Sequence, residues 1–123
     1  MIHTKYTALV SLKPTSKYSW YGTEYSGLQW VSSDTKPTES EIDAELTRLT
    51  NAEPMKLLRD ERDKRLASCD WVSAKATDTG VAVTTAWKTY RQALRDLPAS
   101  ASPSLDSDGF LDLSSVTWPT EPS

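Results

Sequence analysis

Cys69, His3 and the carboxylates of Asp60, Asp63 and Asp70 are the side chains of this 123-residue sequence from which chemistry could be built. One cysteine and one histidine fall short of the roughly four ligands of a thiolate–imidazole zinc site and the roughly three of a His-based catalytic site. No metal is expected. A Cys69–His3 nucleophile–base couple can be written, but His3 lies near a terminus, where chains tend to fray. The simpler reading of Cys69 is a small half-buried thiol at a helix end. A lone cysteine forms no internal disulfide, which fits a reducing compartment. Glycine occurs at 22, 27, 80 and 109, so neither GxGxxG nor GxxxxGK[ST] can be written and no cofactor is expected. Asp106-Ser107-Asp108-Gly109 has the outline of a calcium loop, but it lacks the third ligand before the glycine and the glutamate six residues after it. Carboxylates alone can run a small hydrolase when a pocket drives their pKa values apart. Arg59, Arg62 and Lys64 flank Asp60 and Asp63, as they would flank ordinary ionised surface acids. A carboxylate-based hydrolase is therefore the alternative to a non-enzymatic protein, and two desolvated acids in one cleft would be its mark.

Charge narrows the partners. Residues 1–38 hold four Lys against two acids, 39–97 ten bases against eleven acids, and 98–123 four acids and no base. No segment has the basic excess that binding a phosphate backbone requires, so nucleic acid is not an expected partner. Nor is a membrane, since no apolar run approaches the roughly 18–20 residues of a spanning helix. Met1 to Leu12 carries His3, Lys5 and Tyr6 where a signal peptide has a hydrophobic core, which argues against Sec export.

The elements that must position these residues fall into three stretches. In the first, Tyr6, Leu9 and Val10 fit a helical stripe, while Tyr6, Ala8, Val10 and Leu12 fit strand alternation equally well. Lys17–Tyr21 and Leu28–Ser32 read as two short strands, joined by a turn with glycine at each end where positive φ suits it. Trp20 and Trp30 are placed to face one another across that hairpin. Two strands are not stable alone and must lie on a helix or on another chain. Thr38 and Glu41 have capping-box spacing, and Ile42, Leu46 and Leu49 follow as one apolar stripe. The next seam positions are Glu53, Lys56 and Asp60, so heptads stop and the helix packs on the hairpin instead of forming a coiled coil.

In the second stretch Pro54 either kinks this helix or opens another. Met55–Leu66 is dense in helix formers with acid-before-base pairs at i, i+4, the pattern of a solvated face or a charged docking face. Residues 70–83 read as a loop beginning Asp70-Trp71, with Trp71 either sealing the end of a helical hairpin against Trp87 or serving as a partner anchor. Trp87, Tyr90, Leu94 and Leu97 give the strongest helical period in the chain, over about 84–97, and Leu97-Pro98 ends it. The third stretch is different material. Ala99–Ser104 is linker-like, and Trp118 stands in a polar terminus where an exposed indole is costly, so it is expected to dock, on this chain or another.

Taken in order, Pro54-Met55-Lys56-Leu57-Leu58-Arg59, Arg62-Asp63, Arg65-Leu66, Asp70-Trp71, Trp87-Lys88-Thr89-Tyr90-Arg91-Gln92-Ala93-Leu94-Arg95-Asp96-Leu97-Pro98 and Val116-Thr117-Trp118-Pro119 resemble the tail assembly chaperone domain of tailed bacteriophages. The likeness covers about residues 53–120, and the stretch 72–83 is longer and poorer in acids and prolines than that pattern. Tyr25–Trp30 with Lys36-Pro37-Thr38-Glu39 resembles a small module found ahead of this domain in phage tail proteins, whose first segment is a helix. The fold expected is α+β: a helix, hairpin and helix module over 1–52, a helical-hairpin domain over 53–98, and an extended acidic tail over 99–123. The resemblance implies a non-enzymatic assembly factor, or a minor tail component, that binds a tail-fibre or baseplate protein. Any oligomer is then expected to form through that partner. The place of action is the host cytoplasm during assembly, with retention in the virion tail as the other outcome. Trp20, Trp30 and Trp118 are the candidate partner-binding anchors, with Arg91 and Arg95 as polar candidates.

If residues 84–97 pack antiparallel on about 54–68, Trp87→Ala removes most of a small core. A loss of about 3–5 kcal/mol is expected in denaturant unfolding. A Trp87 ring standing in solvent would end the helical-hairpin reading.

Overall fold

The computed structural model describes residues 2–123. The chain divides into two compact units, Met1–Glu53 and Pro54–Ser123.

The first unit begins with helix α1, Lys5–Leu12, capped reciprocally by Thr4 and Thr7. Helix therefore prevails over strand in the ambiguous first segment. Its buried stripe is Ala8 and Leu9, while Tyr6 and Val10 are exposed, so the stripe through Tyr6, Leu9 and Val10 holds only at its centre. His3, expected at a fraying end, is instead tied down: Nε2 lies 2.9 Å from the buried Glu53 carboxylate. Strands β1, Tyr18–Trp20, and β2, Leu28–Trp30, pair antiparallel with Tyr18 opposite Trp30 and Trp20 opposite Leu28. That register corrects the expected Trp20–Trp30 pair. Trp30 stacks on Tyr18 with centroids 5.8 Å apart, and the two tryptophans sit diagonally on the same face, two register positions apart. This face covers a core of Ala8, Leu9, Leu28 and Ile42, which is the support a two-stranded sheet requires. The two turn glycines serve different ends. Gly22 has φ +78, whereas at Gly27 a Cβ would fall 1.8 Å from the Tyr21 carbonyl oxygen.

Helix α2 spans Glu39–Ser68, with Pro54 inside it. Thr38 opens it through the expected capping box: the Glu41 N–H donates to Thr38 Oγ1 at 3.1 Å and the Thr38 N–H to Glu41 Oε1 at 3.3 Å. Ile42 is buried, and Leu46 and Leu49 pack against the first core. Of the two roles open to Pro54, interruption without termination is the one observed. The proline lacks the N–H that would reach the Thr50 carbonyl, and it marks the start of the second unit.

In that unit the expected loop 70–83 contains a helix, α3, Trp71–Thr79, ended by Gly80 in the left-handed region. Ala74 and Ala76 favour it, and Thr77 and Thr79 donate their hydroxyls back to the Ser73 and Lys75 carbonyls. Helix α4, Thr85–Ser100, is capped by Thr84 and passes Pro98, where the sequence reading ended it. A proline in the last turn forfeits one backbone bond, and the Ala101 N–H still reaches the Leu97 carbonyl at 3.0 Å. Antiparallel packing of α4 on the C-terminal part of α2 follows from two crossings in opposite order. Arg62 approaches the Arg95 carbonyl at 3.5 Å, and Arg91 donates to that of Leu66 at 3.2 Å. The core is Cys69, Val72, Tyr90 and Leu94, with Leu66, Val83, Trp87 and Trp118 packed around it. Cys69 is wholly buried, not half-buried, and Leu58 is buried as well.

The tail is not a linker throughout. Leu105 bridges Leu111, a 3-10 turn covers Leu113–Ser115, and Val116 is buried.

Candidate protein-binding surface

In the first unit the hairpin carries Trp20 and Trp30. Each indole is half-buried and donates its N–H to a carbonyl four residues on, Glu24 at 2.9 Å and Asp34 at 2.7 Å. The rings are thereby held in place with one edge open. Trp20, Tyr18, Tyr6 and Gly22 line a groove of about 670 Å³, and Tyr6 packs edge-on against Tyr18 at 6.4 Å. Burial, and then the neighbouring Tyr6, raise the Tyr18 hydroxyl above its ordinary pKa. Tyr21 and Val31, flanking the strands, are exposed. Sequence reasoning missed these two and Tyr6 as surface groups. Tyr6 fits the apolar spacing of both a helical stripe and a strand, so its spacing does not mark it as a surface group.

In the second unit the polar candidates separate. Arg91 faces inward: Nη1 donates to the Leu66 carbonyl and lies 3.0 Å from Cys69 Sγ, and Nη2 donates to Asp70 Oδ1 at 3.0 Å. Burial works to lower its pKa, and the hydrogen bonds to Asp70 and Cys69 outweigh it, leaving the guanidinium raised. Arg95, one turn on, is exposed and engages Gln92. Trp118 docks on its own chain. Its ring lies under the Arg65 guanidinium, 4.0 Å from centroid to Cζ, and its N–H donates to the Leu113 carbonyl at 3.2 Å. Tyr90 is pushed above its ordinary pKa by burial and then by the charge of Glu121. Trp71 meets Trp87 edge to face at 5.6 Å, as sealing of the hairpin end requires, yet half of Trp71 stays exposed.

The carboxylates named for hydrolysis are exposed ion-pair partners. Asp60 lies 3.7 Å from Lys56, Asp63 3.0 Å from Arg62, and Asp70 pairs with Arg91. Asp106, from the calcium-like loop, accepts the N–H groups of Asp108 and Phe110 with one oxygen. Among the described residues, no group of three or more His, Cys, Asp or Glu is placed to hold a metal ion, and no helix is long and apolar enough to cross a membrane.

With the second unit's helical core and its docked Trp-Pro terminus in view, the comparisons with known proteins take their place. The family model for the phage tail assembly chaperone protein matches residues 55–123, more than half of the chain. The chain belongs to the phage tail assembly chaperone family. The match begins one residue after the start of the second unit and leaves the first unit outside it. Nothing among curated proteins or solved structures matches the chain.

The tail contacts fix what protease should do. Ser104 is tied by its N–H to Ser115 Oγ and by its carbonyl to the Asp112 N–H, which leaves Ala101–Pro103 as the accessible link. Elastase is expected to cut after Ala101, and the fragment 102–123 to co-elute with the rest of the chain. Trp118→Ala should release it. Spontaneous release from the wild type would mean that the docking contributes nothing.

Proposed function

We propose that this chain is a non-enzymatic tail assembly factor that binds and holds a tail-fibre or other tail protein, such as a baseplate subunit. It acts in the host cytoplasm while tails are built, and as a minor tail component if it stays in the virion. The observation that carries this reading is the aromatic groove of the first unit, where Tyr6 stands exposed beside Tyr18 and the half-buried Trp20. Aromatic side chains of this kind anchor protein interfaces, and family membership supplies the class of partner. The ion-paired, solvent-facing carboxylates support the same reading, since acid–base catalysis needs acids whose pKa values a pocket has separated.

Co-expression with the phage's own tail-fibre and baseplate proteins, followed by pull-down, tests it. The wild type should recover one of them. Trp20→Ala or Trp30→Ala should lower recovery by about tenfold or more, in line with an anchor's contribution, and Arg95→Ala by less. Trp118→Ala isolates the contribution of the tail. Failure of the wild type to recover any tail protein would overturn the reading.

A further inference from the structure

The second unit carries two surface features that fit each other and that its own packing does not use. The first is a pocket of about 150 Å³ between α3 and the connector 80–84, lined by Trp71, Val72, Lys75, Val81, Val83 and Trp87. A cavity of that volume with apolar walls accepts a benzene ring. Lys75 stands 6.0 Å from the Trp71 ring centre, and the adjoining groove, which shares Val83, adds the exposed Lys88 and Arg95, while Arg91 in its wall is paired with Asp70. The one carboxylate of α3, Asp78, is not among the lining residues.

The second feature is the turn 105–111. Asp106 Oδ1 accepts two backbone N–H groups at 2.9 and 3.0 Å, the Asp106 N–H donates to the Phe110 carbonyl at 2.7 Å, and Gly109 takes φ +84. The turn is thus held by its own backbone and the Asp106 carboxylate, and beside the Leu105–Leu111 bridge Phe110 is 67 % exposed. Asp106, Asp108 and Asp112 surround it in sequence, in a segment with no basic residue. A phenyl ring on a preorganised acidic turn can bind without an ordering cost. A ring-sized apolar pocket with a basic rim is its complement in shape and charge.

We propose that the chain self-associates head to tail, with Phe110 of one copy seated in the Trp71/Val81/Trp87 pocket of a second. Knob and pocket are different patches, so the contact is heterologous: each copy that gives a knob leaves its own pocket open for another, and the series closes as a ring or continues as a filament. The contact needs no tail-fibre protein and does not rest on the function proposed above.

Sedimentation of the full chain from about 1 μM to about 1 mM tests it, with two variants at exposed positions, Phe110→Ala and Val81→Asp. The wild type should associate with rising concentration, and association should weaken as salt screens the acidic turn from the basic rim. Each variant alone should associate about 30-fold more weakly or worse, the loss of one aromatic anchor. Mixed, they should form dimers and nothing larger, because only the knob of Val81→Asp and the pocket of Phe110→Ala remain. A wild type that stays monomeric overturns the proposal, as does Phe110→Ala associating like the wild type or a mixture that does not pair. Capture of another tail protein through Phe110 by a monomeric wild type would assign the knob to that protein and likewise refute self-association.

Discussion

One guanidinium holds the junction on which the second unit depends. Arg91 projects from α4 to the point where α2 ends and α3 begins, and there it meets the Leu66 carbonyl, Cys69 Sγ and the Asp70 carboxylate. Leu66 lies in the last turn of α2, where carbonyls lack helical partners and the helix dipole presents its negative end. A cation placed there adds a further donor to a carbonyl that already accepts the Cys69 N–H at 3.2 Å, and it offsets the dipole as well. The planar fork reaches three groups on two sides, which a lysine ammonium on its flexible stem does not reproduce. Three helices thereby share one fixed corner, and Cys69, Val72, Tyr90 and Leu94 close into a core around it.

A second arginine extends the same logic to the terminus. Arg65 pairs with Glu61 one turn away and presents its face to Trp118, so a helix-surface ion pair also seats the tail. The exposed surface is therefore narrower than a list of arginines and tryptophans suggests. Arg91, Arg65 and Trp118 hold the unit together, while Arg95, Lys75, Lys88 and Phe110 face outward. In the first unit the division falls between aliphatic and aromatic side chains, with Leu9, Leu28 and Ile42 inside and Tyr6 and Tyr21 outside.

What the sequence made legible follows from how local each signal is. The Thr38–Glu41 cap, the Ile42–Leu49 stripe and the Trp87–Leu97 period are contained in one or two turns, and all three stand in the structure. The hairpin was legible as two strands, but its register was not. Register depends on the turn Gly22–Gly27, where the Tyr21 N–H bonds the Gly27 carbonyl at 2.9 Å, and that close approach has no sequence period. Helix α3 was hidden because Thr-Asp-Thr-Gly reads as a turn; the available signal was Gly80 as a left-handed C-cap after Ala74-Lys75-Ala76. Nothing in the sequence marks Arg91 as inward, because inward arginines are recognised only by the carbonyl and carboxylate that the fold brings to them. Trp118 was expected to dock, and only the fold could choose its partner.

If the Arg91 junction is what closes the second unit, charge alone cannot replace it. Urea unfolding of the full chain, followed by near-ultraviolet circular dichroism of the tryptophans, should show Arg91→Lys and Arg91→Ala both destabilised. The expected loss is about 2 kcal/mol or more in each, the scale of charge-assisted hydrogen bonds in a partly buried setting. Wild-type stability in Arg91→Lys would contradict the account, because a point charge would then suffice where the fork is held to be required.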